Sequence, residues 1–216
     1  MKILYNHQIF LSKYGGASRY FVELANNISL NEDKDATVKI ISPFFKTEYL
    51  SSNNQNFFFS GMKIPDFKGL SKLCSILNTF LSPILSKYYN PNIIHDTYYR
   101  AVKHNTGHIK KIITVYDMIH ELFPDQFSKK DNTTELKKFA VAEADHIICI
   151  SNNTQKDLIK FFNVDVKKTS VIHLGFSFRL KEIKKPEKIN KPYLLYVGAR
   201  NGYKNFTKFI EAYSAP

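Results

Sequence analysis

Lys111–Tyr116 reads KIITVY and His146–Ile150 reads HIICI. Both runs are apolar almost without interruption, whereas a strand with one wet face alternates apolar and polar residues. Continuous apolar character belongs to strands covered on both faces, the condition of a parallel sheet sandwiched between helices. Shorter runs of the same kind flank them: Lys2–Tyr5 (KILY), Thr37–Ser42 (TVKIIS, ended by Pro43), Asn92–His95 (NIIH, entered through Pro91) and Ser170–His173 (SVIH). Segments of helical period lie between. Tyr20, Phe21, Leu24, Ala25 and Ile28 fall on one stripe, with Ser18 placed to cap the helix and Gly15–Gly16 in the loop before it. Strand and helix in alternation predict βαβ units, hence an α/β fold with a doubly wound, Rossmann-like parallel sheet.

Two segments set the limits of that unit. Between Leu70 and Tyr89 the apolar residues Leu70, Leu73, Leu77, Phe80, Leu81, Ile84, Leu85 and Tyr88 keep a helical spacing, with a break expected at Pro83. Core packing is the commoner fate of such a stripe; a membrane-facing surface is the other, because Lys68, Lys72 and Lys87 flank it. Lys181–Lys191 (KEIKKPEKINK) is basic, polar and Pro-containing, and reads as an interdomain linker. Beyond it a strand at Tyr193–Val197 (YLLYV), a turn at Gly198–Gly202 and a helix at Asn205–Tyr213 begin a new βα unit. The expected organisation is a first domain over residues 1–180, a linker over 181–191, and the opening of a second domain over 192–216. One strand and one helix cannot form a core, so the chain reads as incomplete.

Composition narrows the class. The 216 residues are 44% apolar and include 18 Phe and 13 Tyr, enough burial to exclude disorder over most of the length. The net charge of +12 favours anionic partners without choosing among them, and the lysines are scattered rather than clustered. No helix-turn-helix, zinc or RNA-recognition signature supports a nucleic-acid partner. Cys74 and Cys149 stand far apart, with no CxxC pair and no histidine at zinc-ligand spacing, which argues against a disulfide framework or a metal centre and fits a reducing compartment. The amino terminus, MKILYNHQIF, lacks the long apolar core of a signal peptide, and no run approaches the ~20 apolar residues of a membrane span. A cytoplasmic protein, at most peripheral on an anionic membrane, is the expectation.

Five motifs then occur in order: YGGASRYFVELANNIS (Tyr14–Ser29), TVYDMIHELFPD (Thr114–Asp125), ADHIICISNNTQKDLIKFF (Ala144–Phe162), SVIHLGFS (Ser170–Ser177) and PYLLYVGARNGYKNF (Pro192–Phe206). Together they resemble the family 4 glycosyltransferases of the two-domain GT-B type, as found in bacterial surface-polysaccharide and lipopolysaccharide synthesis. The resemblance covers nearly the whole chain. It implies two Rossmann-like domains facing each other, the first binding the acceptor and the second a nucleotide-diphosphate sugar. It also places the family's paired glutamates, eight positions apart, beyond Pro216, so that the 216 residues alone are expected to be inactive.

The resemblance assigns candidate roles. Gly15 and Gly16 would let backbone amides at a helix start approach the donor diphosphate, the other reading being an ordinary tight turn. Tyr116, Asp117 and His120 follow a strand at the carboxyl end of the sheet, where open α/β folds place ligands. Family members carry His-Asp where this chain has Tyr116-Asp117. A tyrosine donates hydrogen bonds there but is no base near neutral pH, and His120 either supplies the imidazole or simply packs. Glu121 is a further acidic candidate, and Arg19 a cation that either faces the cleft or solvent. Ser151 reads first as a helix cap and second as a cleft contact. Arg200 and Lys204 would hold the leaving diphosphate, or else are solvated surface cations. No cofactor or metal is expected; Asp33-Lys34-Asp35 has a D-x-D form but lies in a charged turn. The implied activity is retaining transfer of a sugar to a polysaccharide or lipid-linked glycan. The alternative is a non-catalytic domain that binds a glycan, a lipid or a partner subunit.

Overall fold

The computed structural model describes all residues except 32–34, 52–55, 101–106, 177–190, 199, 201 and 215–216. These divide into two compact units, one formed by Met1–Met118 with Asn132–His173 and the other by Ile119–Asp131 with Leu174–Pro216. The 181–191 linker, Lys191 apart, lies outside the described residues, as do Asp33 and Lys34 of the D-x-D sequence.

The first unit is a seven-stranded sheet in the order β3-β2-β1-β4-β5-β6-β7. Its strands are β1 (Lys2–Tyr5), β2 (Thr37–Phe45), β3 (Phe58–Lys63), β4 (Ile93–Asp96), β5 (Lys110–Val115), β6 (His146–Cys149) and β7 (Thr169–Val171). Every adjacent pair is parallel. Parallel neighbours need crossovers, and α1 (Gly16–Leu30), α2 (Leu70–Tyr89), α4 (Thr133–Glu143) and α5 (Asn152–Phe162) supply four of the six connections, those of β2 to β3 and β4 to β5 holding no α-helix among the described residues, while the four-residue α3 (Ile119–Leu122) belongs to the second unit. The order reverses between β1 and β4, so the fold is doubly wound as expected. One core cluster gathers Tyr5, Phe10, Phe21, Val38 and Ile40, and another gathers Ile113, Val115, Met118, Ile147 and Leu158. The continuous apolar runs of β5 and β6 are thus explained by two covered faces.

Several local expectations are corrected. Pro43 does not end β2: the strand runs on to Phe45, and the register with β3 shifts between Ile41 and Phe44. A proline has no N–H for a ladder, and the irregularity puts it where no ladder bond is required. The buried Asn78 of α2 patches that gap, accepting from Phe44 N at 2.8 Å and donating to Phe44 O at 2.8 Å. The edge strand β3 carries no apolar periodicity and escaped the sequence reading. Ser18 is not the cap of α1: the helix begins at Gly16 after an extended Gly15, and the buried Ser18 hydroxyl donates back to Gly15 O at 2.9 Å.

Pro83 does not break α2, which continues for 20 residues through it. The helix is also turned about relative to the core reading. Cys74, Asn78 and Ser82 face inward, four residues apart, while Leu73, Leu77, Phe80, Leu81, Ile84, Leu85 and Tyr88 are exposed. Polar anchoring causes this orientation: besides Asn78, the Ser82 hydroxyl lies 2.8 Å from His7 Nδ1 at the end of β1.

In the second unit α6 spans Phe206–Ser214, close to the expected helix. Tyr193–Val197 does not form a strand, and Tyr193, Leu194, Leu195 and Val197 are exposed. A strand is defined by its neighbour, and among the described residues this segment pairs with none.

Candidate functional site

The carboxyl ends of β1, β4, β5 and β6 lie side by side, and the residues just past them form the candidate site of the first unit. At the β1/β4 reversal the polar side chains close on one another. Asn6 Oδ1 accepts from Thr97 N at 3.0 Å and Asn6 Nδ2 donates to Asp96, which pairs with Arg100 at 2.7 Å. Burial is the largest influence on both charges, raising the Asp96 pKa and lowering that of Arg100 while their mutual attraction opposes each shift. This network ties two strand ends together, and nothing in the sequence marked it beyond the polar residues that stop β1.

The Tyr116–Asp117 segment after β5 is held by three side chains, from α5, α4 and the loop after β4. Thr154 Oγ1, on the first turn of α5, donates to Tyr116 O at 3.4 Å. Tyr99 hydrogen-bonds the Tyr116 backbone. Lys137 Nζ, from α4, donates to Asp117 O at 3.0 Å and sits 5.3 Å from the centroid of the Tyr99 ring. Lys137 is wholly buried. Sequence reasoning missed it, although its spacing from Ala140, Val141 and Ala144 places it on the apolar side of α4.

The side chain of Tyr116 packs edge-on to Tyr20 at 6.3 Å, and its hydroxyl is buried with no hydrogen-bond partner among the described residues. Burial first, then Tyr20 and Tyr98, push its pKa far above the phenol range, so this group stays protonated and is no base. Behind it His95 Nε2 lies 2.9 Å from Thr114 Oγ1 and the ring meets Tyr5 and Phe21 edge-on. Burial lowers the His95 pKa to about 3, leaving a neutral imidazole in the sheet rather than a catalytic base. Ser151 caps α5 as expected, its Oγ accepting from Thr154 N at 3.1 Å.

Gly15 and Gly16 open α1 at the same end of the sheet. A Cβ on Gly16 would meet nothing within 4 Å, so no packing within the chain requires a glycine there. Arg19, in the first turn, is exposed. Cys149 is buried in the core and its thiol is pushed up to about 11, which makes it unreactive.

The second unit holds the remaining candidates. His120 stacks on Phe127 at 3.9 Å, its Nε2 is 3.9 Å from Asp131 Oδ2, and its buried Nδ1 has no hydrogen-bond partner among the described residues. Glu121 is half-buried. Arg200 and Lys204 are exposed, each cation resting on an aromatic ring: Arg200 5.5 Å from the centroid of Phe206, Lys204 4.9 Å from that of Tyr203. The structure therefore brings Tyr116, Asp117, Ser151 and the Gly15–Gly16 turn to one sheet end, and His120, Glu121, Arg200 and Lys204 to the other unit. No group of three or more potential metal ligands occurs among the described residues.

A doubly wound parallel sheet flanked by helices defines a Rossmann-like α/β fold. The family model Glycosyltransferase Family 4 matches residues 14–178, and the chain belongs to that family. Among solved structures it is similar to Anabaena HepE in complex with UDP and glucose, at 20% identity and a TM-score of 0.53, covering 82% of this chain and 45% of that one. The lipopolysaccharide outer core galactosyltransferase WaaB matches at 15% identity and a TM-score of 0.47, covering 89% and 50%. A glycosyltransferase from Rickettsia africae matches at 19% and 0.43, covering 80% and 42%. The chain thus spans about half the length of the structures it matches. No curated protein matches it.

Proposed function

We propose that residues 1–180 are the acceptor-side domain of a retaining glycosyltransferase and that 192–216 belong to its donor-side domain, joined through 181–191. The enzyme would move a hexose from a nucleotide-diphosphate sugar to a polysaccharide or lipid-linked glycan in surface-glycan synthesis on the cytoplasmic side, without metal or cofactor. Membership of glycosyltransferase family 4 over residues 14–178 is the observation that carries this reading.

The chemistry of the site agrees with it. Departure of a nucleoside diphosphate builds negative charge on its phosphates, which the helix start at Gly15–Gly16 and the cations Arg200 and Lys204 are suited to stabilise. Tyr116, protonated and with its hydroxyl buried, takes no proton from the acceptor. In a retaining reaction the leaving phosphate itself accepts the acceptor's proton, so a site without a strong protein base is sufficient. Asp117, with its backbone held by Lys137, contributes a carboxylate at the same strand end.

The test is turnover of a panel of UDP-, GDP- and ADP-sugars by protein expressed from its whole reading frame, followed as nucleoside diphosphate release. Release from one donor class, stimulated by a glycan acceptor, is expected. No release from any donor, with the protein folded by circular dichroism, overturns the reading in favour of a binding domain.

A further inference from the structure

Helix α2 presents its apolar side to solvent and its polar side to the sheet. Cys74, Asn78 and Ser82, at steps of four, are buried, and Asn78 and Ser82 are hydrogen-bonded to Phe44 and His7. On the opposite side Leu73 is 54% exposed, Ile76 50%, Phe80 69%, Ile84 56% and Tyr88 86%. A water-soluble surface helix normally has the reverse arrangement. At 1.5 Å per residue the stripe from Leu73 to Tyr88 runs about 22 Å, too continuous to be the scattered apolar exposure of an ordinary surface.

We infer that this face of α2 lies in the headgroup region of an anionic membrane. Charge selects the occupant. Lys68 and Lys72 stand at one end of the stripe and Lys87 at the other, all exposed, and no Asp or Glu occurs between Asp66 and Asp96. Apolar side chains bordered by lysines are the pattern of an interfacial helix, the first entering the acyl boundary while the second pair with lipid phosphates. A second copy of the chain meets an obstacle the bilayer does not, since apposing two such helices brings lysines against lysines. No helix among the described residues is long and apolar enough to cross a membrane, so α2 rests on the bilayer along its length. The net charge of +12 adds a general attraction to an anionic surface. The inference is independent of sugar transfer.

The chain has no tryptophan, so Phe80→Trp supplies a single reporter. With vesicles of phosphatidylcholine in which about a third is phosphatidylglycerol, its emission should shift to the blue and the protein should co-sediment, and vesicles of phosphatidylcholine alone should bind more weakly. Raising the salt from 0.1 M to 1 M, which shortens the screening length from about 10 Å to about 3 Å, should reduce binding. Phe80→Glu/Ile84→Glu should lose roughly tenfold or more in partitioning relative to Val166→Glu/Ile172→Glu, which makes the same charge change at two exposed apolar residues elsewhere. Three results would overturn the inference: equal binding by the two double variants, an unshifted tryptophan emission from the bound Phe80→Trp variant, or no vesicle binding at all. A dimer in sedimentation velocity that Phe80→Glu/Ile84→Glu dissociates would assign the face to a second copy instead.

Discussion

Lys137 Nζ donates to the carbonyl oxygen of Asp117 at 3.0 Å, across the gap between α4 and the end of β5, from a side chain with no exposed surface. A buried ammonium is expensive to desolvate and persists where its partner must be kept in place. It fixes the backbone of the segment that carries both Tyr116 and Asp117.

Lys137→Met keeps an unbranched side chain of similar volume and removes the donor. Its stability should change by less than about 1.5 kcal/mol. If the proposed sugar transfer holds, kcat/KM of the protein from its whole reading frame should fall roughly ten- to a hundredfold, because Asp117 loses its alignment. Lys137→Ala leaves a cavity as well and should destabilise by about 2–4 kcal/mol. Urea unfolding with unchanged slope checks the first and third numbers.

His95 makes the fold sensitive to acid. Its pKa is depressed to about 3 in the native state against 6.5 unfolded, so below pH 6.5 the unfolded chain binds a proton that the native chain refuses. Stability from this group is complete above pH 6.5 and falls by up to about 1.4 kcal/mol per pH unit toward pH 3. The neighbouring Asp96 runs the other way: burial raises its native pKa, so its contribution is present in acid and is lost as pH rises. Urea midpoints of wild type and His95→Phe, compared between pH 7 and pH 4, isolate the histidine. The wild type should lose more than the variant.

Much of this was legible in the sequence and some was not, for identifiable reasons. β1, β4, β5 and β6 announce themselves because, Lys2 and Lys110 apart, their residues on both faces are buried or half-buried. β3 does not, since an edge strand with exposed Phe58 and Met62 lacks that pattern. The apolar stripe of α2 was visible but its direction was not: hydrophobic period identifies a face, while Asn78 and Ser82, bonded to groups distant in sequence, decide which face turns inward. Lys137 was hidden because a single lysine in a helix reads as solvated. Tyr193–Val197 has strand composition and, among the described residues, no neighbour to pair with.

Gly16 separates packing from binding. With open space at its Cβ and a place in the first turn of α1, Gly16→Ala should leave stability unchanged or raise it by up to ~1 kcal/mol. If the diphosphate approaches these amides, the same methyl group obstructs it. KM for the donor should then rise with no loss in melting temperature, and an unchanged KM would return Gly16 to the role of a plain turn residue.

Arg200→Ala and Lys204→Ala should each lower kcat/KM by roughly thirty- to a thousandfold, with a smaller change in donor affinity, if these cations meet charge that grows as the glycosidic bond breaks. Lys191→Ala, also exposed, serves as the charge control. Equal effects in all three variants would mean that only the overall field matters.

The configuration of the product tests the central claim most directly. Proton NMR of the glycan formed by the protein from its whole reading frame, recorded early in the reaction, should show an anomeric proton with the same configuration as in the nucleotide-sugar donor. An inverted anomeric proton would require a protein base, a role open to Asp117 but not to the protonated Tyr116, and would contradict the retaining mechanism proposed for this fold.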